Sequence, residues 1–203
     1  MAARMMSATK QYGVTILLSQ AVEEILSAPA RSKLRHLDTV YVKGSSVAQR
    51  IFTYDARDRG VDFFLFERSP EQADLDAESY SPMIWENDQD LIAMRQHVTD
   101  EFERKFMLAK DLYLSGHWND AVRCFRDADE IMMRTVIDEG FIHYSPDEDV
   151  DTRIFDRSCQ TEDIVRLRNE LGDGPCKCLI SYMEKCKGVP PDDWKGVRPL
   201  TSK

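Results

Sequence analysis

The chain has 203 residues, a formal net charge of −9 and a pI near 5.0. That length holds one compact domain or two small ones, and the acidic balance excludes nucleic acid or an anionic membrane as a general partner. No apolar run approaches the roughly 20 residues of a membrane span, Met1–Ser7 has no apolar core of a signal peptide, and five cysteines without a secretory signal read as reduced thiols in the cytoplasm.

Residues 1–44 read as a helix, a buried strand, a second helix and a second strand. Val14 to Leu18 is a short β-rich apolar run after Gly13, the pattern of a buried strand. Ser19 offers a hydroxyl to cap a helix over Gln20–Leu26, and Pro29 stops it. Thr39 to Val42 is β-branched and aromatic, and Gly44 turns the chain. Arg50–Tyr54 alternates as another strand, Asp55–Gly60 is a charged loop, and Val61–Phe66 is a further apolar strand. Residues 69–96 shift to proline and acidic residues and read as a linker with at most a helical turn or two, pinned by Trp85 to a neighbouring surface.

Residues 97–188 are predominantly helical. Asp100 is placed to cap a helix, with Glu103 at capping-box spacing. Phe102, Phe106, Ala109, Leu112 and Tyr113 recur on one face, and Ser115-Gly116-His117 breaks the helix. A second helix puts Ala121, Val122, Phe125 and Ala128 on one face. With Trp118, this pair resembles a tetratricopeptide-type hairpin, in which small residues let two helices approach. An insert over 138–171 interrupts the pattern: Ser145–Asp151 reads as an acidic mobile loop, and Thr161–Leu171 carries Ile164, Leu167 and Leu171 at helical spacing. Gly172-Asp173-Gly174-Pro175 restarts the chain into a helix bearing Cys178, Leu179, Tyr182 and Met183, ending near Gly188. The tail, 189–203, is extended.

Three motifs in the first 44 residues resemble the C-terminal part of a class III adenylate/guanylate cyclase catalytic domain: Ala2-Ala3-Arg4-Met5, the run from Thr9-Lys10-Gln11-Tyr12-Gly13-Val14 to Ser19, and Val42-Lys43-Gly44. They follow the family's order with family-like spacing. The second half is similar to a helical extension found after that domain, through Gly116-His117-Trp118, Gly172-Asp173-Gly174-Pro175 and Asp193-Trp194-Lys195-Gly196-Val197. The insert 138–171 departs from the pattern, and Ser45 stands where the family often has a second Lys. The resemblance implies an α+β protein. A truncated, ferredoxin-like catalytic remnant over 1–68 is followed by the linker 69–96, the helical extension 97–188 and the tail 189–203. Because the match starts in the middle of the family's domain, a truncated N-terminus is expected.

In such enzymes the ribose 3′-hydroxyl attacks the α-phosphate and pyrophosphate leaves. Negative charge builds on phosphate oxygens and is met by metal ions and fixed cations. By resemblance Arg4 stabilises the transferring phosphate, a role suited to a planar guanidinium, and Lys43 binds the terminal phosphates as a point charge. The family's metal-binding aspartates lie upstream of the matched motifs. The complete enzyme therefore uses Mg or Mn, while this chain alone binds none and should not turn over. ATP or GTP is the implied substrate, and a second cyclase domain, in a homo- or heterodimer, the implied partner. A longer parent chain would be free to carry a membrane anchor. The other reading is a non-catalytic pseudo-cyclase, a helical interaction module docking a partner around Trp118.

Other patterns are weaker. Asp147-x-Asp149-x-Asp151 resembles the start of a calcium loop, but Thr152 replaces the required glycine and Ser158 the closing glutamate. Cys176-x-Cys178 with Cys186 lacks a second pair or a suitably spaced histidine to close a zinc site, which favours buried helix thiols. His36, His97, His117 and His143 lie far apart, with no nucleophile motif beside them.

Overall fold

The computed structural model describes residues 2–42, 47–57, 83–140 and 148–200. Among them, ten helices and a four-stranded mixed sheet make the fold α+β. In chain order the elements are α1 (Ala2–Tyr12), β1 (Leu18–Ser19), α2 (Gln20–Ile25), α3 (Ala28–Arg31), β2 (Leu34–Val42), β3 (Ala48–Tyr54), α4 (Ile84–Asn87), α5 (Gln89–Arg95), α6 (Asp100–Leu114), α7 (Trp118–Asp138), α8 (Glu148–Phe155), α9 (Glu162–Leu171), α10 (Gly174–Lys185) and β4 (Arg198–Leu200). The sheet order is β1-β3-β2-β4. β2 and β3 pair antiparallel, and β4 lies parallel to β2, with Val40 opposite Arg198 and Val42 opposite Leu200.

The helical hairpin forms on the face the spacing indicates. Phe102, Phe106, Ala109 and Tyr113 of α6 and Trp118, Ala121, Phe125 and Ala128 of α7 are all buried. Phe106 meets Phe125 edge-on at 5.4 Å. Each aromatic removed from water contributes roughly 1.5–3 kcal/mol, which outweighs the modest propensities of these sequences. One continuous apolar cluster runs from Met5, Ala8 and Tyr12 of α1 through Leu37, Val40 and Ile51 of the sheet to the helices and Met183 of α10. Trp85 packs edge-on against Tyr54 of β3, with ring centroids 5.7 Å apart, as a pin to a neighbouring surface should.

Several expectations need correction. Val14–Leu18 is not a buried strand: only Leu18 and Ser19 pair with β3, and Ile16 is 47% exposed. Gly13, at φ 64°, ends α1, and the segment after it is tethered through the Thr53 hydroxyl, which donates to the Ile16 carbonyl at 2.8 Å. Pro29 does not stop a helix; it sits in the first turn of α3, where its missing N–H costs nothing, while Ser27 caps that helix. The cap of α6 is Thr99, whose hydroxyl accepts from the Phe102 amide; Asp100 is the first helical residue, and with Phe102 in the third position no capping box forms. Within the insert, Glu148–Phe155 is a helix rather than a loop. The extended tail supplies β4. Lys43, Gly44, Val61–Phe66, residues 69–82 and Ser145–Asp147 lie outside the described residues.

Candidate functional site

Arg4 lies on the first turn of α1, and Lys43, which follows the last residue of β2, is outside the described residues. What the structure does show is how α1 and β2 are joined. The Tyr12 hydroxyl, at the end of α1, donates to Asp38 Oδ2 of β2 at 2.7 Å. Arg198 Nε of β4 donates to the same oxygen at 3.0 Å, and Arg198 Nη2 donates to the Tyr12 oxygen. The Thr39 amide donates to Asp38 Oδ1 at 2.8 Å. Tyr12 and Asp38 are fully buried and Arg198 nearly so. Burial pushes the Asp38 carboxyl up, and Arg198 with the Tyr12 hydroxyl pulls it back.

A backbone irregularity puts Asp38 there. His36 faces Phe52 and Asp38 faces Ile51, so Leu37 is an extra residue in β2. The bulge breaks the strand's alternation: Arg35 and Leu37 are buried before it, and Asp38, Val40 and Val42 after it. A charged side chain that strict alternation would send outward is thereby aimed into the core.

A second polar cluster lies along the same strand. Arg35 Nε and Nη2 donate to the two Asp55 oxygens at 2.7 Å each, and Nη1 and Nη2 to Asp173 at 3.1 and 2.7 Å. The guanidinium also lies 4.9 Å from the Phe102 ring centroid and 4.3 Å from that of Phe106. Asp173 caps α10 by accepting from the Cys176 amide, while its own amide donates to Asp129. Burial alone would raise Asp173, but the charge of Arg35 overrides it and holds the carboxyl below its ordinary range. Arg57 donates to the carbonyls of Glu170, Leu171 and Gly172. Burial, helped by Arg57 and Arg95, pushes His97 down to about 3, so its imidazole is neutral at ordinary pH. Burial pushes Asp129 up to about 6 against the pull of Lys177.

A cavity of ≈ 250 Å³ opens over this cluster, bounded by Gly13–Thr15, Arg35, Arg57 and Gly172–Gly174. Its two guanidinium groups are committed, one to two carboxylates and the other to three carbonyls. Arg35 thus spends four of its five N–H donors and Arg57 three, so the cavity belongs to a structural lock joining sheet, α6 and α10.

The Asp55–Asp173 pair is committed to a guanidinium and does not fit a divalent metal. Asp55 and Asp173 converge, but on Arg35, and no group of three or more His, Cys, Asp or Glu gathers among the described residues. The cysteines do not converge either: Cys176 is buried, the Cys178 thiol sits 3.8–3.9 Å from the Arg198 guanidinium, and all five thiols are free. Asp149 and Asp151 lie in α8, a helical backbone that a calcium loop cannot adopt, and Asp147 is outside the described residues. Trp118, read as a docking residue, is 1% exposed: its indole donates to the Tyr113 carbonyl, and its ring packs among Tyr113, Tyr182 and Trp194. It is a core residue and has no surface to offer a partner.

The sequence reading missed Arg35, Asp38, Asp173 and Arg198 as organising residues. The available signal was a pair of charges, Arg35 and Asp38, within a strand otherwise fit for burial. Among the described residues, no helix is long and apolar enough to cross a membrane. Comparison with known proteins gives no matching family model, no matching curated protein and no matching solved structure.

Proposed function

We propose that the chain is the phosphate-binding portion of a class III adenylate/guanylate cyclase catalytic domain joined to a helical, tetratricopeptide-like extension. It would work against a second cyclase domain on ATP or GTP. The observation that carries this reading is the ordered motif set Ala2-Ala3-Arg4-Met5, Thr9–Ser19 and Val42-Lys43-Gly44. The α+β fold is compatible with a remnant of a ferredoxin-like domain. The buried Tyr12–Asp38 bond supports the reading further, because it joins the helix that bears Arg4 to the strand that leads into Lys43. A cation gains transition-state stabilisation when its supporting element is held in place, and this bond fixes α1 against β2.

In this role Arg4 meets the charge that builds on the transferring phosphate, and Lys43 holds the terminal phosphates. The Mg or Mn of the complete enzyme falls to the partner, since the family's metal-binding aspartates lie upstream of the matched motifs. The test is complementation. The full chain is mixed with a class III cyclase protomer that keeps its metal-binding aspartates but has lost its own phosphate-binding arginine, and cyclic nucleotide is measured. Rescue by the native chain, with none by Arg4→Ala or Lys43→Ala, is the expected result. Rescue that is indifferent to both substitutions, or no rescue by any form of the chain, contradicts the proposal.

A second reading, a non-catalytic interaction module, is favoured by large apolar side chains left exposed on the hairpin. A docking face on the hairpin would use outward Met107 and Leu108 rather than Trp118. Absent rescue combined with partner capture that depends on Leu108 would support it.

A further inference from the structure

We propose that residues 189–200 form a strap that couples the α6–α7 hairpin to the α1–β2 pair. The strap leaves α10 through two left-handed residues, Lys187 at φ 58° and Gly188 at φ 71°. Its first anchor is Trp194. The indole donates to the Leu114 carbonyl at the end of α6 at 3.1 Å, and the ring lies 5.1 Å from Trp118 and 5.3 Å from Tyr113. Gly196 follows at φ 72°, so close to the hairpin that an added Cβ would lie 2.9 Å from the Leu114 carbonyl oxygen. Its second anchor is Arg198, buried against Asp38 and Tyr12 and stacked 4.9 and 5.0 Å from the Tyr12 and Tyr182 ring centroids.

The two anchors are four residues apart, a span of at most about 14 Å even when fully extended. A strap this short has little slack, so displacement at Trp194 must be taken up at Arg198. β4, Arg198–Leu200, is only a three-residue parallel ladder, too short to hold the sheet edge by itself. That ladder lies on Val40–Val42, the last described residues of β2. If Arg198 withdraws, β2 loses its neighbour there, and Asp38 is left in the core with only the Tyr12 hydroxyl and the Thr39 amide. An event that pulls Trp194 from its slot therefore loosens the register of α1 on β2. The consequence for phosphate binding rests on the cyclase reading, through Arg4 and Lys43; the coupling itself does not.

Hydrogen exchange on the full chain tests the coupling without any nucleotide, so its failure is distinct from failure of complementation. Trp194→Ala removes the first anchor. Gly196→Ala displaces the strap while leaving the aromatic cluster filled, and serves if the tryptophan variant does not fold. In both variants the amides of Val40–Val42 and Ala8–Tyr12 should exchange about tenfold faster, while those of Glu162–Leu171 stay within about twofold of native. Faster exchange confined to the tail and hairpin overturns the proposal. A uniform rise that includes Glu162–Leu171 also overturns it, since the strap would then add only global stability.

Discussion

Replacing Arg35 with methionine should be among the most damaging single changes in this protein. The guanidinium makes four hydrogen bonds of 2.7–3.1 Å to Asp55 and Asp173, and all three side chains are less than 10% exposed. Methionine keeps much of the packing against Phe102 and Phe106 but leaves two carboxylates buried without the guanidinium that hydrogen-bonds them, with only the more distant charges of Arg57 and Lys177 nearby. Breaking a buried ion pair from one side costs about 3–5 kcal/mol. Against a total stability of about 5–15 kcal/mol this is a large share. With a urea slope of about 1–3 kcal/mol per molar, the unfolding midpoint should fall by more than 1 M. The triple variant Arg35→Met, Asp55→Asn, Asp173→Asn removes the stranded charges, and asparagine can still cap α10. It should therefore recover most of the loss. Urea unfolding followed by circular dichroism reads both. A loss below about 1 kcal/mol in the single variant, or a triple variant as unstable as the single one, would refute the electrostatic argument.

Trp118→Ala should cost about 3–5 kcal/mol by opening a cavity among Tyr113, Tyr182 and Trp194, with loss of the near-ultraviolet dichroism of that cluster; an unchanged melting temperature would mean the ring is not core. His97, pushed from 6.5 to about 3, takes up a proton in the unfolded chain before the folded one, so its contribution to stability is lost as pH falls from 6.5 towards 3. Asp129, raised from 3.8 to about 6, acts oppositely and stabilises as pH falls from 6 to 3.8. The two slopes oppose and nearly cancel between pH 6 and 3.8, so this pair's net loss falls between pH 6.5 and 6 and again below 3.8. In His97→Gln the Asp129 contribution stands alone and stability should rise as pH falls from 6 to 3.8, while the native His97 ring resonances should report a neutral imidazole at about pH 5. Asp173, held low by Arg35, adds a further loss at more acidic pH, as its carboxylate is protonated.

Much of the helical half is legible because its signal is local. Phe102, Phe106, Ala109 and Tyr113 recur every three or four residues, and a helix buries such a face against whatever is near. Asp173 followed by Gly174-Pro175 marks a helix start by the same kind of short-range chemistry. The sheet is less legible. Val14–Leu18 has the composition of a buried strand, yet it runs past the sheet end, because pairing depends on partners the segment does not itself specify. The bulge at Leu37 reverses the facing of every later residue in β2, and nothing in the alternation of that strand announces it. Arg198 reaches Asp38 across 160 positions of sequence, so neither residue reveals the other. Arg4 and Lys43 rest on resemblance alone; taken singly, each is an ordinary charged residue.

The central claim, that Arg4 and Lys43 complete a phosphate-binding half-site, is tested most directly by the kinetics of the complemented cyclase. A group that stabilises only the transition state lowers kcat, whereas one that holds the substrate's terminal phosphates raises KM. Arg4→Ala should lower kcat by about 10²–10³-fold with KM nearly unchanged, and Lys43→Ala should act mainly on KM. Steady-state parameters for both variants that match those of the native chain would contradict the account.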